Sequence, residues 1–243
     1  MLILSLESSS KPASVAVCSD TELLGQYYQN SGLTHSRTLM AMAEALLKNL
    51  DMSMSDIELI AVSRGPGSFT GIRIGVSAAK GLAWGLEKPV CGVSTLEAMA
   101  RQAICPGHDW PGPASSLGNA ATPSPYVICP VMDARRSQVY NALFSYTDGK
   151  PIRLCDDRAI SLEGLSADLR RYSAPCLLIG DGALICQKYL DNENISAIIA
   201  PGLIRWQTAY GVALAALDGE PTPAADLEPY YIRPSQAELH FKG

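Results

Sequence analysis

Residues 64–75 read RGPGSFTGIRIG, and how these twelve positions are understood decides the fold. The apolar run IELIAVS (57–63) leads straight into them, and a helical pattern starts straight after. Strand, glycine-rich turn and helix in that order form the unit of an α/β protein. Ser68 or Thr70 is placed to cap the helix, which the pattern carries to about Gly85. Such a loop has two uses. Unpaired N–H groups at a helix start, with Arg73 nearby, suit an anion. Alternatively, glycines let two backbones come close. No Gly-Lys-Ser/Thr closes the loop, and Gly65, Gly67 and Gly71 lack the G-x-G-x-x-G spacing, so neither common phosphate motif is present. Gly71, Gly75, Ala79 and Ala83 instead recur every four residues as a ridge without bulk, and Ser77, Gly81 and Gly85 form a second. A helical glycine costs roughly 1 kcal/mol relative to alanine. Several in one helix imply a close neighbour, internal or on another protein, and tight packing explains them better than phosphate.

Working outward, LILSL (2–6), ASVAV (13–17) and ELLGQYYQN (22–30) read as a meander of three strands. A helix capped by Thr34 runs to about Leu50, with Leu39, Ala43, Leu46 and Leu50 as its buried stripe. Met40 and Leu47 make a second apolar line, either further core or a face left for a partner. KPVCGV (88–93) is a strand, and Ser94–Ile104 a helix with Ser94 as cap and Glu97 at capping-box spacing. Residues 105–126 are rich in Pro, Gly and Ser and read as a linker or surface insertion. Beyond it, YVICPVMDA (126–134) and QVYNALFSY (138–146) pair around a turn at Arg135–Ser137, with IRLCDDRAI (152–160) as third strand. A helix over Ser161–Tyr172, the strand PCLLIGDGA (175–183), a helix to about Leu190, a helix over Trp206–Leu217 and the extended tail LEPYYIRP (227–234) complete the chain. Both halves run meander, helix, strand, glycine turn, helix. The expectation is a duplicated α/β unit divided as 1–104, 105–126 and 127–243.

Composition narrows the function. The 243 residues carry a net charge of −5 and no Lys/Arg cluster, which disfavours direct nucleic-acid binding. Seven cysteines without a C-x-x-C pair suit reduced thiols in the cytosol. The opening MLILSLE has no basic n-region, so a cytoplasmic protein is expected. Five prolines break the uncharged stretch 110–132, and no membrane helix is expected. His35, His108 and His240 form no i, i+4 pair, so no metal site is expected. The turn LESSSKPASVAV (6–17) lies where actin- or hexokinase-like ATPases hold phosphate, but no glycine occurs between residues 1 and 24. Glu7, Ser8 and Ser9, with Gly65, Gly67 and Ser68, are vestigial phosphate or nucleotide contacts at most. Asp133, Arg135 and Arg136 fit a hairpin satisfied by its own Asp. Gly180–Gly182 suits a tight turn or a nucleotide. Tyr230, Tyr231 and Arg233 either dock the tail or form an interface.

Taken together, ILSLESSSKPASVAV, RGPGSFTGIRIG, GVSTLEAMA, VMDARRSQVY, IGDG and YYIRP resemble the TsaB family, also called YeaZ, in order and spacing. Glu7 departs from the family's more usual Asp, and the insertion 105–126 is a second departure. The resemblance implies a two-domain actin-like/hexokinase-like (ASKHA) fold. It implies a subunit without catalysis of its own, needed for threonylcarbamoyl transfer to adenosine 37 of tRNAs that read codons beginning with A. The implied partners are a catalytic TsaD, which holds metal through an H-x-x-x-H pair absent here, and the ATPase TsaE. A homodimer is implied in isolation, and tRNA is met only through the complex. ATP or ADP at the complex interface is the one cofactor implied. On this view the docking surface lies on the helices of the first domain, with His35, Met40, Leu47, Gly71, Arg73, Gly75, Ala79 and Ala83. The rival readings are a small ASKHA kinase or acyl-phosphate transferase, a metallopeptidase, and a direct tRNA-binding module.

Overall fold

A computed structural model describes residues 1–103, 126–147 and 150–233. The expected linker therefore falls outside the described residues apart from Tyr126, as do His108 and His240. The chain divides into two compact units, one formed by Met1–Gln102 with the segment that begins at Trp206, the other by Ala103–Arg205.

The first unit opens with the expected meander, β1 (Ile3–Glu7), β2 (Ala13–Cys18) and β3 (Leu23–Gln29). Helix α1 (His35–Asn49) follows. Thr34 holds its N-cap position, although its side chain makes no capping bond. Strand β4 (Leu59–Gly65) enters the glycine loop, and α2 (Phe69–Leu86) leaves it with Ser68 as cap, its Oγ accepting from the Gly71 N–H at 3.3 Å. Strand β5 (Val90–Ser94) and α3 (Thr95–Gln102) follow. Here the Ser94 Oγ accepts from the Glu97 N–H, as the spacing predicted. The sheet order is β3-β2-β1-β4-β5, with β1 antiparallel to β2 and parallel to β4. Strand alternation sends Leu4, Leu6, Ile60 and Val62 into one core with Leu39, Leu46, Ile72 and Val76 of α1 and α2. Ile3, Leu59 and Ala61 point to the opposite face.

The second unit repeats this plan. Its strands are β6 (Val127–Asp133), β7 (Gln138–Asn141), β8 (Phe144–Thr147), β9 (Lys150–Arg153) and β10 (Arg158–Ser161). Helix α4 (Leu162–Leu169), strand β11 (Cys176–Ile179), helix α5 (Ala183–Asn192), strand β12 (Ala197–Ile199) and the short α6 (Gly202–Arg205) complete it. The order β10-β7-β6-β11-β12 reproduces the 3-2-1-4-5 order of the first sheet. This duplicated mixed sheet with flanking helices is the expected ASKHA architecture.

Two boundaries differ from expectation. QVYNALFSY is two strands, because the buried Asn141 turns its Nδ2 to the carbonyls of Pro130 and Ala142 and ends β7 there. IRLCDDRAI is likewise split, β9 pairing with β8 and β10 with β7, while Arg153 and Asp157 pair across the interruption at 2.6 Å. The division 127–243 also differs. After Arg205 the chain returns to the first unit, where α7 (Ala209–Ala216) covers the sheet face opposite α1 and α2. Ala209, Val212, Ala213 and Ala216 pack on Ile3, Ala16, Leu59 and Ala61, and the Ser5 Oγ donates to the Ala209 carbonyl at 2.7 Å. A five-stranded sheet has two apolar faces, and α3 alone is too short to cover the second.

Candidate docking surface

The glycine loop packs on its own chain. Gly65 has φ +130°, a conformation that side chains rarely adopt, and a Cβ there would strike the Tyr230 carbonyl. A Cβ on Gly67 would strike the Ser9 carbonyl, one on Gly71 the Ser8 carbonyl, and one on Gly75 the Ser8 hydroxyl, each closer than 3.0 Å. The close neighbour implied by the small ridge is thus the hairpin between β1 and β2. The two are joined by bonds from the Ser68 N–H to the Ser9 carbonyl at 2.6 Å and from the Ser8 Oγ to the Gly71 carbonyl at 2.9 Å.

This corrects the expected interface set. Gly71, Gly75, Ala79 and Ala83 are buried against their own unit and offer nothing to a partner. Leu47 is also core, at 4% exposure, so α1 has less spare apolar surface than its sequence suggested. The phosphate set is corrected too. Glu7, Ser8 and Ser9 are fully buried, and Glu7 Oε1 accepts from the N–H and the hydroxyl of Ser9 at 2.6 and 2.5 Å. The carboxylate caps its own turn, and Gly67 lies against the Ser9 backbone of the same hairpin. Only Ser68 of that set is exposed, as the helix cap.

His35, Met40 and Arg73 remain, and the structure brings them together. They line a groove of about 380 Å³ between α1 and α2 with Ser36, Leu39, Ile74, Ser77 and Ala78. Met40 is 37% exposed. His35 is half-buried, its Nε2–H donating to the Ser10 carbonyl at 2.8 Å, so the hairpin orients the ring. The outer face of α2 continues past the groove through Ser77, Gly81, Gly85 and Trp84, the last 75% exposed. A Cβ on Gly81 or Gly85 would meet nothing within 4 Å. Of the two small ridges read in the sequence, the second is therefore the outward one. Ile74 and Ala78 were missed as groove residues. Their signal was the i, i+4 row beside the glycine ridge, which two apolar residues alone do not mark.

The tail closes the rim. The Tyr230 N–H donates to the Arg64 carbonyl at 2.7 Å, and the Arg64 guanidinium lies 5.9 Å from the Tyr230 ring centroid. Tyr231 stacks on Phe69 with centroids 4.7 Å apart, and its hydroxyl accepts from Arg73 Nε–H at 2.9 Å. The alternative left open for these tyrosines resolves to docking of the tail. Arg233 makes an interaction as well.

In the second unit, Asp133 Oδ1 accepts from the Arg135 N–H at 2.7 Å in a turn where Arg135, Arg136 and Ser137 all have positive φ. The Gly182 N–H donates to the Val131 carbonyl, and a Cβ there would press on the backbone of Met132 and Asp133. This second glycine turn also serves close packing. Among the described residues no group of three His, Cys, Asp or Glu side chains could hold a metal, and no helix is long and apolar enough to cross a membrane.

Residues 29–166 match the family model TsaD, tRNA N6-adenosine threonylcarbamoyltransferase. The chain is 30% identical over 242 residues to the tRNA threonylcarbamoyladenosine biosynthesis protein TsaB of Bacillus subtilis, a match that covers 99% of this chain and 98% of that protein. It is 39% identical over 103 residues to the protein of the same name from Escherichia coli, covering 42% of this chain and 44% of that protein. Among solved structures, YeaZ from Pseudomonas aeruginosa shares the fold with a TM-score of 0.73 at 24% identity, over 95% of this chain and 99% of that one.

Proposed function

The chain belongs to the TsaB family, whose named members are tRNA threonylcarbamoyladenosine biosynthesis proteins, and from that premise we propose that it works there as a docking subunit rather than a catalyst. It binds a TsaD-type catalytic subunit through the outer faces of α1 and α2 and raises threonylcarbamoyl transfer to adenosine 37 of tRNAs that read codons beginning with A. A TsaE-type ATPase completes the system. The chain meets tRNA only within the complex, pairs with itself when the catalytic subunit is absent, and acts in the cytoplasm. Any ATP or ADP sits at the complex interface rather than in the β1–β2 hairpin.

One observation carries this reading. The hairpin in which an actin-like ATPase would cradle phosphate is filled by the chain's own glycine loop, while the outward faces of α1 and α2 present an open apolar groove. A kinase or acyl-phosphate transferase needs the reverse arrangement. An apolar groove rimmed by polar groups is what a partner helix fills.

The test is a reconstituted tRNA modification assay with the catalytic subunit, the ATPase and this chain, wild type or Ala78→Trp. Ala78 is partly buried on the groove wall, so a bulky ring blocks docking without entering the core. Omitting the chain is expected to abolish most modification, and Ala78→Trp is expected to co-purify poorly while melting as the wild type does. Full modification without the chain, or unchanged assembly by Ala78→Trp, would overturn the proposal.

A further inference from the structure

One cation at the groove rim is held rigidly and, among the described residues, has no anion of its own. Arg73 leaves the second turn of α2 with its guanidinium carbon 3.7 Å from the Phe69 ring centroid. Phe69 in turn stacks on Tyr231, whose hydroxyl accepts the Arg73 Nε–H at 2.9 Å. The segment that brings Tyr231 is anchored to the glycine loop through the Tyr230 N–H. Among the described residues Arg73 forms no ion pair, and none of the residues lining the groove is acidic. Arg37, exposed on the first turn of α1, adds a second positive charge at this end.

The geometry points to Arg73 as the receptor for a carboxylate of the catalytic partner, with Phe69 and Tyr231 as its positioning residues. This rests on the docking proposed above and names the chemistry that the partner must supply. An exposed arginine–carboxylate pair ordinarily contributes little, because two long side chains must be immobilised to form it. Here one of them is immobilised beforehand. Stacking fixes the guanidinium plane and Tyr231 occupies Nε, which leaves the two terminal nitrogens to grip both oxygens of a carboxylate. Docking then removes water from the pair and strengthens it.

The experiment measures affinity for the TsaD-type catalytic subunit by calorimetry at low and high salt, with Arg73→Gln, Arg73→Lys, Tyr231→Phe and Ala78→Trp in the full chain. Arg73→Gln is expected to weaken binding at least about tenfold and to flatten its salt dependence. Arg73→Lys keeps the charge without the planar fork and is expected to fall between glutamine and wild type. Tyr231→Phe is expected to lose about two- to fivefold with the salt dependence retained, because the charge stays but its orientation is loosened. Melting curves of the three variants are expected to match the wild type within a few degrees. If Ala78→Trp loses binding while Arg73→Gln stays within twofold of wild type at both salt levels, the carboxylate inference fails and docking stands. If Ala78→Trp also binds like wild type, docking itself fails.

Discussion

The Cα of Gly71 faces the carbonyl oxygen of Ser8 so closely that no side chain fits between them. Through this contact the first turn of α2 and the β1–β2 hairpin form one piece, and the helices of the groove are set by the sheet beneath them.

Glycines on the two ridges of α2 are expected to respond in opposite directions. Gly71→Ala places a methyl group inside 3.0 Å of the fixed Ser8 backbone, and overpacking of this kind costs about 1–3 kcal/mol. Gly81→Ala meets open space and removes chain entropy from the unfolded state, a gain of about 0.5–1 kcal/mol. Urea unfolding followed by circular dichroism measures both. Equal stability of the two variants would contradict the assignment of the ridges.

Leu47 and Met40 look alike in sequence and are expected to separate in measurement. Leu47→Ala opens a cavity among Leu46, Ile57 and their neighbours and costs about 2–5 kcal/mol. Met40→Ala, at the exposed edge of the groove, stays within about 0.5 kcal/mol of wild type. Its effect is expected in partner affinity instead, read by the same calorimetry. A Leu47→Ala variant as stable as wild type would return that residue to the surface.

Thiol burial makes the second unit sensitive to alkali. Burial raises the Cys129 and Cys186 thiols above their ordinary 9.0, and a hydrogen bond with Cys176 adds to the rise at Cys129. Protonated native thiols bind more protons than unfolded ones above that pH, so their contribution is whole below pH 9 and shrinks as pH rises. The decline is about 1.4 kcal/mol per pH unit for each thiol involved. Urea midpoints between pH 7.5 and 10 are expected to fall, and to fall less in Cys129→Ala relative to its own value at neutral pH. A flat profile in the wild type would show that these thiols ionise freely when folded.

Much of the fold was legible because its signals are local. The caps at Ser68 and Ser94, the apolar stripe Leu39–Ala43–Leu46 and the glycine turns after β4 and β11 depend on neighbours a few residues away. The duplicated order of elements followed from them. The sequence likewise determined that α2 needs a close neighbour, because four glycines and alanines in four-residue steps have no other compensation. Only the tertiary structure decided which neighbour. It put the Ser8–Ser9 backbone against Gly67 and Gly71 and the Ser8 hydroxyl against Gly75, buried Leu47, returned α7 to the first sheet and carried Tyr231 across 158 positions to Arg73. Periodicity names the faces of a helix, but what covers a face depends on distant segments that share no local pattern with it.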